Sequence, residues 1–485
     1  MFAKLYKPAP RLILLGAFAG TSVLNYSFAL AMGWLVGPGD YGLLAFTQTL
    51  LLVGGMVMNS AFAFALSRAV SRADGARERD ALVRGTLLVN LVPAVAMSAI
   101  VLALFAAGPL REGFERWFVV GVVALCFPVG SLVKCVNGCS QGSERFGAIA
   151  ANELTEMSCK TLSGTALVLL GFGVSGAIAG FLVGAVCAAA LGFYQLVYGI
   201  GVRLRGSLIV PDLRASAAIF GAMIGLSALL NIDIVGFKLL ADERAFVGYY
   251  QAGLVLSNAP YYLVFAAMVP LLFVQLSRYE SVGAAEKPLG ETLGLTAALI
   301  LPIEIALMIF PKQALVTFYP NAYAPGAPAL RILAIGNALL ILTLIFAVAF
   351  QAVGRAKVPA LILLAVALAE PFALWAAVPS GQALGAAWVF VAATFLALFC
   401  LVAVYLRESG AACLRRVAPW IVRYVLAVGA GLVAGRMALD LGVAAALVVG
   451  GTCYLVTATL LRVVRPFAKF SGETSLGKIA SSEKE

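Results

Sequence analysis

About fourteen runs of roughly 20 apolar residues follow one another along this chain. A run of that length crosses a hydrocarbon core of ~30 Å as a helix, which pairs its own backbone groups where no water can. The approximate spans are 12–36, 43–66, 85–107, 117–137, 146–170, 176–200, 215–240, 248–273, 291–310, 330–353, 358–378, 385–406, 419–439 and 443–461. Composition agrees: 62% of residues are hydrophobic and 12% are charged, more apolar surface than a water-soluble domain can bury. The expected fold is an all-α polytopic membrane protein. The longest polar connections, 67–84 and 311–329, are under 20 residues each. Neither can build a catalytic domain, so the chain reads as no enzyme.

The charge of +11 is sorted by side. With a cytoplasmic N-terminus, the even-numbered loops hold nearly all Lys and Arg. They include Lys4, Lys7 and Arg11, then Arg68, Arg72, Arg77, Arg79 and Arg84, then Arg203, Arg205 and Arg214. Arg407, Arg415 and Arg416 follow, and the tail carries Arg462, Arg465, Lys469, Lys478 and Lys484. The opposite loops hold a few, such as Arg111, Arg116, Arg244, Lys312 and Arg436. This bias places the chain in an inner membrane with both termini cytoplasmic. It reads as a membrane pattern, with no nucleic-acid partner. The N-terminal apolar run is too long for the core of a signal peptide.

The opening of the chain is echoed about 205 positions later. Leu15-Gly16-Ala17-Phe18-Ala19-Gly20-Thr21-Ser22 corresponds to Phe220-Gly221-Ala222-Met223-Ile224-Gly225-Leu226-Ser227, and Asn25 to Asn231. Gln141-Gly142-Ser143-Glu144-Arg145 corresponds to Gln351-Ala352-Val353-Gly354-Arg355, and Gly176-Ala177 to Gly385-Ala386. The segments therefore divide into two six-helix lobes, 1–214 and 215–417. They run in the same direction around a central cavity, and 418–485 adds two helices and a basic tail. Internal repeats of this kind mark transporters.

Histidine is absent and the eight cysteines have no metal-ligand spacing, which removes His-based triads and most zinc or haem sites. No Gly-x-x-x-x-Gly-Lys-Ser/Thr nucleotide loop is present, and no cofactor is expected.

The segments Leu35-Val36-Gly37-Pro38-Gly39-Asp40-Tyr41-Gly42, Asn231-Ile232-Asp233, Val247-Gly248-Tyr249-Tyr250 and Gln351 to Pro359 resemble the bacterial polysaccharide flippases. These form the oligosaccharide-lipid branch of the superfamily that also holds the multidrug and toxin extrusion exporters. The resemblance covers essentially the whole chain and rests on turns and helix ends. It implies a V-shaped pair of lobes with a cavity open alternately to either side. It also implies an undecaprenyl-diphosphate-linked oligosaccharide as cargo, a proton or sodium gradient as drive, and polysaccharide polymerase and export proteins as partners. The product would be a surface polysaccharide such as O-antigen or exopolysaccharide. A drug-cation antiporter of the same fold and a membrane polymerase are the alternatives.

An ionisable side chain at mid-membrane costs ~2.5–3.5 kcal/mol and needs a reason. Glu153, Glu156 and Lys160 fall on one face of the fifth segment. They read either as a cavity wall, with Lys160 meeting an anion and a glutamate a coupling ion, or as a Glu156–Lys160 pair facing another helix. Asp233 reads as a cation or sugar-hydroxyl site, or else as a helix-packing polar contact or a partner of Lys238. Glu304 and Glu370 stand beside Pro302 and Pro371, where a kink suits a protonation switch. Lys134, Arg331 and Arg68 are candidate cargo cations or snorkelling side chains. Asn25, Asn231 and Tyr249 are candidate sugar contacts. No charge lies between Arg11 and Asp40 or between Asp40 and Arg68. The peptidoglycan-precursor flippases have several arginines in those two helices, so this departure speaks against that precursor as cargo.

Overall fold

A computed structural model of the chain describes residues 10–56, 62–108, 117–203, 205–212, 217–241, 243–267, 269–409 and 443–460, with scattered residues between 423 and 438. Among them no strand occurs. The helices are α1 (Pro10–Leu35), α2 (Pro38–Met56), α3 (Ala63–Val70), α4 (Ala76–Ala106), α5 (Trp117–Gly142), α6 (Phe146–Leu167), α7 (Gly173–Tyr194), α8 (Ala217–Leu229) and α9 (Ile232–Leu240). There follow α10 (Arg244–Ala267), α11 (Val269–Leu276), α12 (Glu286–Ile309), α13 (Pro311–Phe318), α14 (Ala327–Ala352), α15 (Lys357–Ser409) and α16 (Val443–Leu460). Several are long and apolar enough to cross a membrane, and the chain is a multi-pass membrane protein.

Most apolar spans appear as helices, with longer ends. The third was expected from residue 85, and α4 begins at Ala76. Hydropathy marks only the part of a helix that meets hydrocarbon. The first turns of α4 are polar, and Glu78 there suits the positive end of the helix dipole. The seventh span is not one helix. It stops at Leu229 and restarts at Ile232, with Asn231 in a non-helical conformation. The eleventh and twelfth spans lie in α15, interrupted at Gln382, whose φ is 45°. The start of the thirteenth span, 419–422, and the basic tail lie outside the described residues.

Packing follows the repeat. α1 packs along α6, and α8 packs along α15. Repeat-related glycines line both contacts: a Cβ on Gly20 would meet Leu154 at 3.2 Å, and one on Gly225 would meet Leu363 at 2.6 Å. α4, α5, α6 and α7 form one packed group, and α8, α9, α14 and α15 another. The groups meet chiefly where α2 crosses α10. Gly42 and Gly248, equivalents in the repeat, touch at that crossing. A Cβ on Gly248 would lie 1.8 Å from the Pro38 carbonyl oxygen, and one on Gly42 2.8 Å from the Gly248 nitrogen.

The crossing belongs to a seal at the end of the bundle where α1 turns into α2. Trp34 Nε1 donates to the Phe318 carbonyl (2.9 Å), the hydroxyls of Tyr41 and Tyr319 hydrogen-bond at 3.0 Å, and the Tyr323 hydroxyl donates to the Val36 carbonyl (3.4 Å). Gly33 leaves room for the Tyr319 ring, whose Cε1 lies 2.4 Å from where a Cβ would be. The stretch 311–329, read from sequence as a mere connection, supplies half of this seal as α13 and a 3-10 turn over Asn321–Gly326.

Candidate functional site

Beneath the seal α1, α2, α5, α6 and α7 line a cavity of about 400 Å³, to whose wall α10 adds Tyr262. Its wall is charged because α5 and α6, joined by the tight turn at 142–145, face each other with polar residues. Lys134 Nζ pairs with Glu153 Oε1 at 3.0 Å. Asn137 donates to the same oxygen at 2.8 Å and accepts from Asn152 at 2.9 Å. Two turns along α6, Lys160 Nζ donates to Asn25 Oδ1 of α1 at 2.9 Å. Its ammonium also stands 4.9 Å from the ring centroid of Phe28 and 4.6 Å from that of Phe181. Glu156 lies between these arrangements with a buried oxygen, Oε2, that has no hydrogen-bond partner. Among the described residues Glu156 and Lys160 form no ion pair, although the Glu156 carboxylate still acts electrostatically on the ammonium.

A smaller pocket of about 60 Å³ adjoins the cavity and reaches the second helix group. Asn25, Tyr26 and Gln48 line one side, and Asn231, Gln251 and Asn258 the other. Asn231 sits at the break between α8 and α9 and donates to the Ser227 carbonyl (2.8 Å). A helix broken at bundle depth is tolerated where it lines a cavity.

The acidic candidates lie behind that break. Asp233, in the first turn of α9, is fully buried. It accepts from the Tyr250 hydroxyl (2.6 Å) and the Ile234 nitrogen (2.8 Å), so Lys238 is not the partner these contacts provide. Glu370 of α15 is buried, and neither of its oxygens has a hydrogen-bond partner. Glu304 of α12 is likewise buried with both oxygens unpartnered. Buried polar groups are nearly always paired, so four such oxygens in two carboxyl groups mark a place that binds something or rearranges.

Of the cargo candidates named from sequence, Asn25, Lys134 and Lys160 line the cavity and Asn231 its neighbour. Tyr249 lies in the seal, edge-on to Tyr323 at 6.3 Å. Arg331 is exposed and donates to the Met308 carbonyl (3.0 Å), and Arg68 is exposed on α3; neither lines the cavity. Sequence reasoning missed Phe181 and Gln48 in the wall, Phe28 buried behind it against Lys160, and Trp34, Tyr41, Tyr319 and Tyr323 in the seal. The density of aromatics at 318–323 was the available signal for the seal. For the two phenylalanines there was none, since Phe is the ordinary filling of such helices. Among the described residues no cluster of three His, Cys, Asp or Glu could hold a metal.

Comparison with known proteins places this geometry. No curated protein sequence matches the chain. Among solved structures, the lipid II flippase MurJ in an inward closed conformation superposes with a TM-score of 0.73 at 11% identity, covering 93% of this chain and 98% of that one. A multidrug resistance MATE family transporter of the MOP superfamily superposes in its inward-facing conformation with a TM-score of 0.63 at 16% identity, over 83% of this chain and 99% of that one. An outward-facing conformation of such a transporter gives 0.56 at 15% identity, over 83% and 96%. At such identities the likeness establishes the fold. A family model described as polysaccharide biosynthesis protein matches residues 31–328, more than half of the sequence. The chain belongs to that polysaccharide biosynthesis protein family.

Proposed function

We propose that this protein is a flippase that moves undecaprenyl-diphosphate-linked oligosaccharide repeat units across the bacterial inner membrane by alternating access. The observation that carries the reading is the cavity lined by α1, α2, α5, α6 and α7, walled by Lys134, Lys160, Glu153, Glu156 and the amides of Asn25 and Gln48, with the seal at one end. A lipid-linked sugar needs such a wall. Its hydroxyls want amides and carboxylates, and its diphosphate wants a cation. A drug exporter would be served by a more apolar wall. MurJ carries lipid II, but here the first two helices hold no cation between Arg11 and Asp40 or between Asp40 and Arg68. The cavity cations come from α5 and α6 instead, which favours a different lipid-linked sugar.

The moving bodies in this reading are the lobes 1–214 and 215–417. The basic loops put the end opposite the seal in the cytoplasm, together with both termini. The seal then lies outside, and this conformation is closed to the exterior. Asp233, Glu370 and Glu304 are the groups through which a proton or sodium gradient drives the cycle.

The test is the fate of undecaprenyl-linked oligosaccharide in a deletion strain, resolved by leaflet. Complete repeat units held on the cytoplasmic face support the flippase. Units gathered on the outer face, or unchanged lipid-linked sugars, refute it.

A further inference from the structure

Lys160 keeps an ammonium group in an uncommon setting. The residue is 3% exposed, and among the described residues no carboxylate lies within ion-pairing distance. The one carboxylate of the wall that is paired, Glu153, is taken by Lys134. Glu156 acts on it only from beyond ion-pairing distance, and the groups closest to the ammonium, besides the Asn25 amide, are aromatic. The rings of Phe28 and Phe181 both face the ammonium, and they stand 5.9 Å apart, edge to face at 89°. Small residues build this holder. A Cβ on Gly184 would fall 2.5 Å from the Glu156 carbonyl oxygen, and one on Gly164 2.9 Å from the Phe28 ring. The two glycines thus let α7 and Phe28 close onto α6.

A ring face attracts a cation without neutralising it and without occupying a donor. An ammonium has three N–H donors, and Asn25 takes one of them through a neutral amide. A carboxylate partner would compete with an anionic cargo; two rings and an amide do not. Resting on the flippase reading above, we propose that Phe28 and Phe181 are positioning residues that hold Lys160 as an unpaired cation, and that its ammonium is passed from Asn25 to the anionic group of the cargo. Asn25 belongs to α1, which runs from the cavity to the seal. Its release therefore reports cargo binding to the helix that carries Trp34.

The experiment uses the purified full chain in detergent, with farnesyl diphosphate and farnesol as probes and isothermal titration as readout. The wild type should prefer the diphosphate, and Lys160→Gln should remove that preference. Phe181→Leu should weaken diphosphate binding about tenfold with farnesol unchanged, the size expected for a desolvated cation–π contact. Phe181→Tyr should restore it to within about twofold, because the ring face returns. Should the leucine variant not fold, Phe181→Met removes the ring with a flexible side chain of similar bulk. Leucine or methionine variants that bind the diphosphate like wild type overturn the proposal. So does a tyrosine variant as weak as the leucine one. A Lys160→Gln variant that keeps the preference overturns the cation role of the cavity itself, a separate failure.

Discussion

The turn after α5 and the turn after α14 are copies in geometry. Arg145 N donates to the Ser140 carbonyl and Arg355 N to the Phe350 carbonyl, both at 2.8 Å. Glu144 N reaches Gln141 and Gly354 N reaches Gln351, both at 3.1 Å. Glu144 and Gly354 both adopt positive φ, 55° and 82°. That conformation is costly for glutamate and free for glycine, so the first copy keeps the turn against its residue preference. Sixteen residues beyond these two positions stand Lys160 and Glu370. The same scaffold position carries opposite charge in the two halves. The other cavity charges have no such counterpart. In the same register, Lys134, Glu153 and Glu156 are matched by Leu344, Leu363 and Val366, all buried. One half has turned its inner face into a polar wall. The other has kept an apolar core and placed its acids behind a broken helix. We read this as a division of labour, with cargo held by the first half and the coupling ion by the second.

The sharpest way to break the comparison is at the shared axis. Gly248→Val drives side-chain atoms into the Pro38 carbonyl oxygen, where backbone cannot yield. Overpacking of this kind costs ~1–3 kcal/mol, and here it falls on the sealed state. Flipping in proteoliposomes should drop more than about tenfold, in line with that cost. Cys126, which lines the cavity, should become labelled by an external maleimide as read by peptide mapping. Gly42→Ala, with its clash at 2.8 Å, should do less. Equal effects would show that the depth of the clash does not set the loss.

Next come the opposite charges. Lys160→Gln should abolish retention of lipid-linked cargo, with transport down about tenfold or more, as for loss of a buried charge contact. Glu370→Gln should leave cargo retention intact and make flipping indifferent to an imposed ion gradient. The division of labour fails if both variants lose the same step.

A smaller effect is expected at Asp233. Tyr250→Phe removes the 2.6 Å hydrogen bond and leaves a buried carboxyl with one partner fewer, a loss of about 1–3 kcal/mol visible in thermal unfolding. The smallest is Glu153→Gln. The Lys134–Glu153 pair is partly exposed, so the cost should be ~0–1 kcal/mol, and a larger drop in unfolding temperature would mean that the α5–α6 network is structural.

The hydropathy of the sequence was enough for the helices and their class, because each apolar residue announces its own solvent. The repeat was legible for a similar reason: turns such as 141–145 and 351–355 are local and leave local residue patterns. Polar positions were legible as exceptions, which is why Lys160, Glu156, Asp233 and Glu370 stand out in the sequence as residues needing an explanation. Their partners were not legible. Glu156–Lys160 and Asp233–Lys238 are near neighbours along the chain, yet the fold gives Lys160 to Asn25, 135 residues away, and Asp233 to Tyr250 on the next helix. The break at Asn231 was hidden too, since the residues around it are as apolar as a continuous helix would be.

The sequence by itself determined that this chain lives in a membrane, that it is helical, and that matching turns recur at 141–145 and 351–355. Those properties follow from the solvent each residue prefers and from turns closed within a few residues. Only the tertiary structure decided which charge is left unpaired, where the seal closes, and which half faces the cavity. These depend on side chains from helices far apart in sequence meeting within about 3 Å, the range in which hydrogen bonds form. No one-dimensional pattern records that distance.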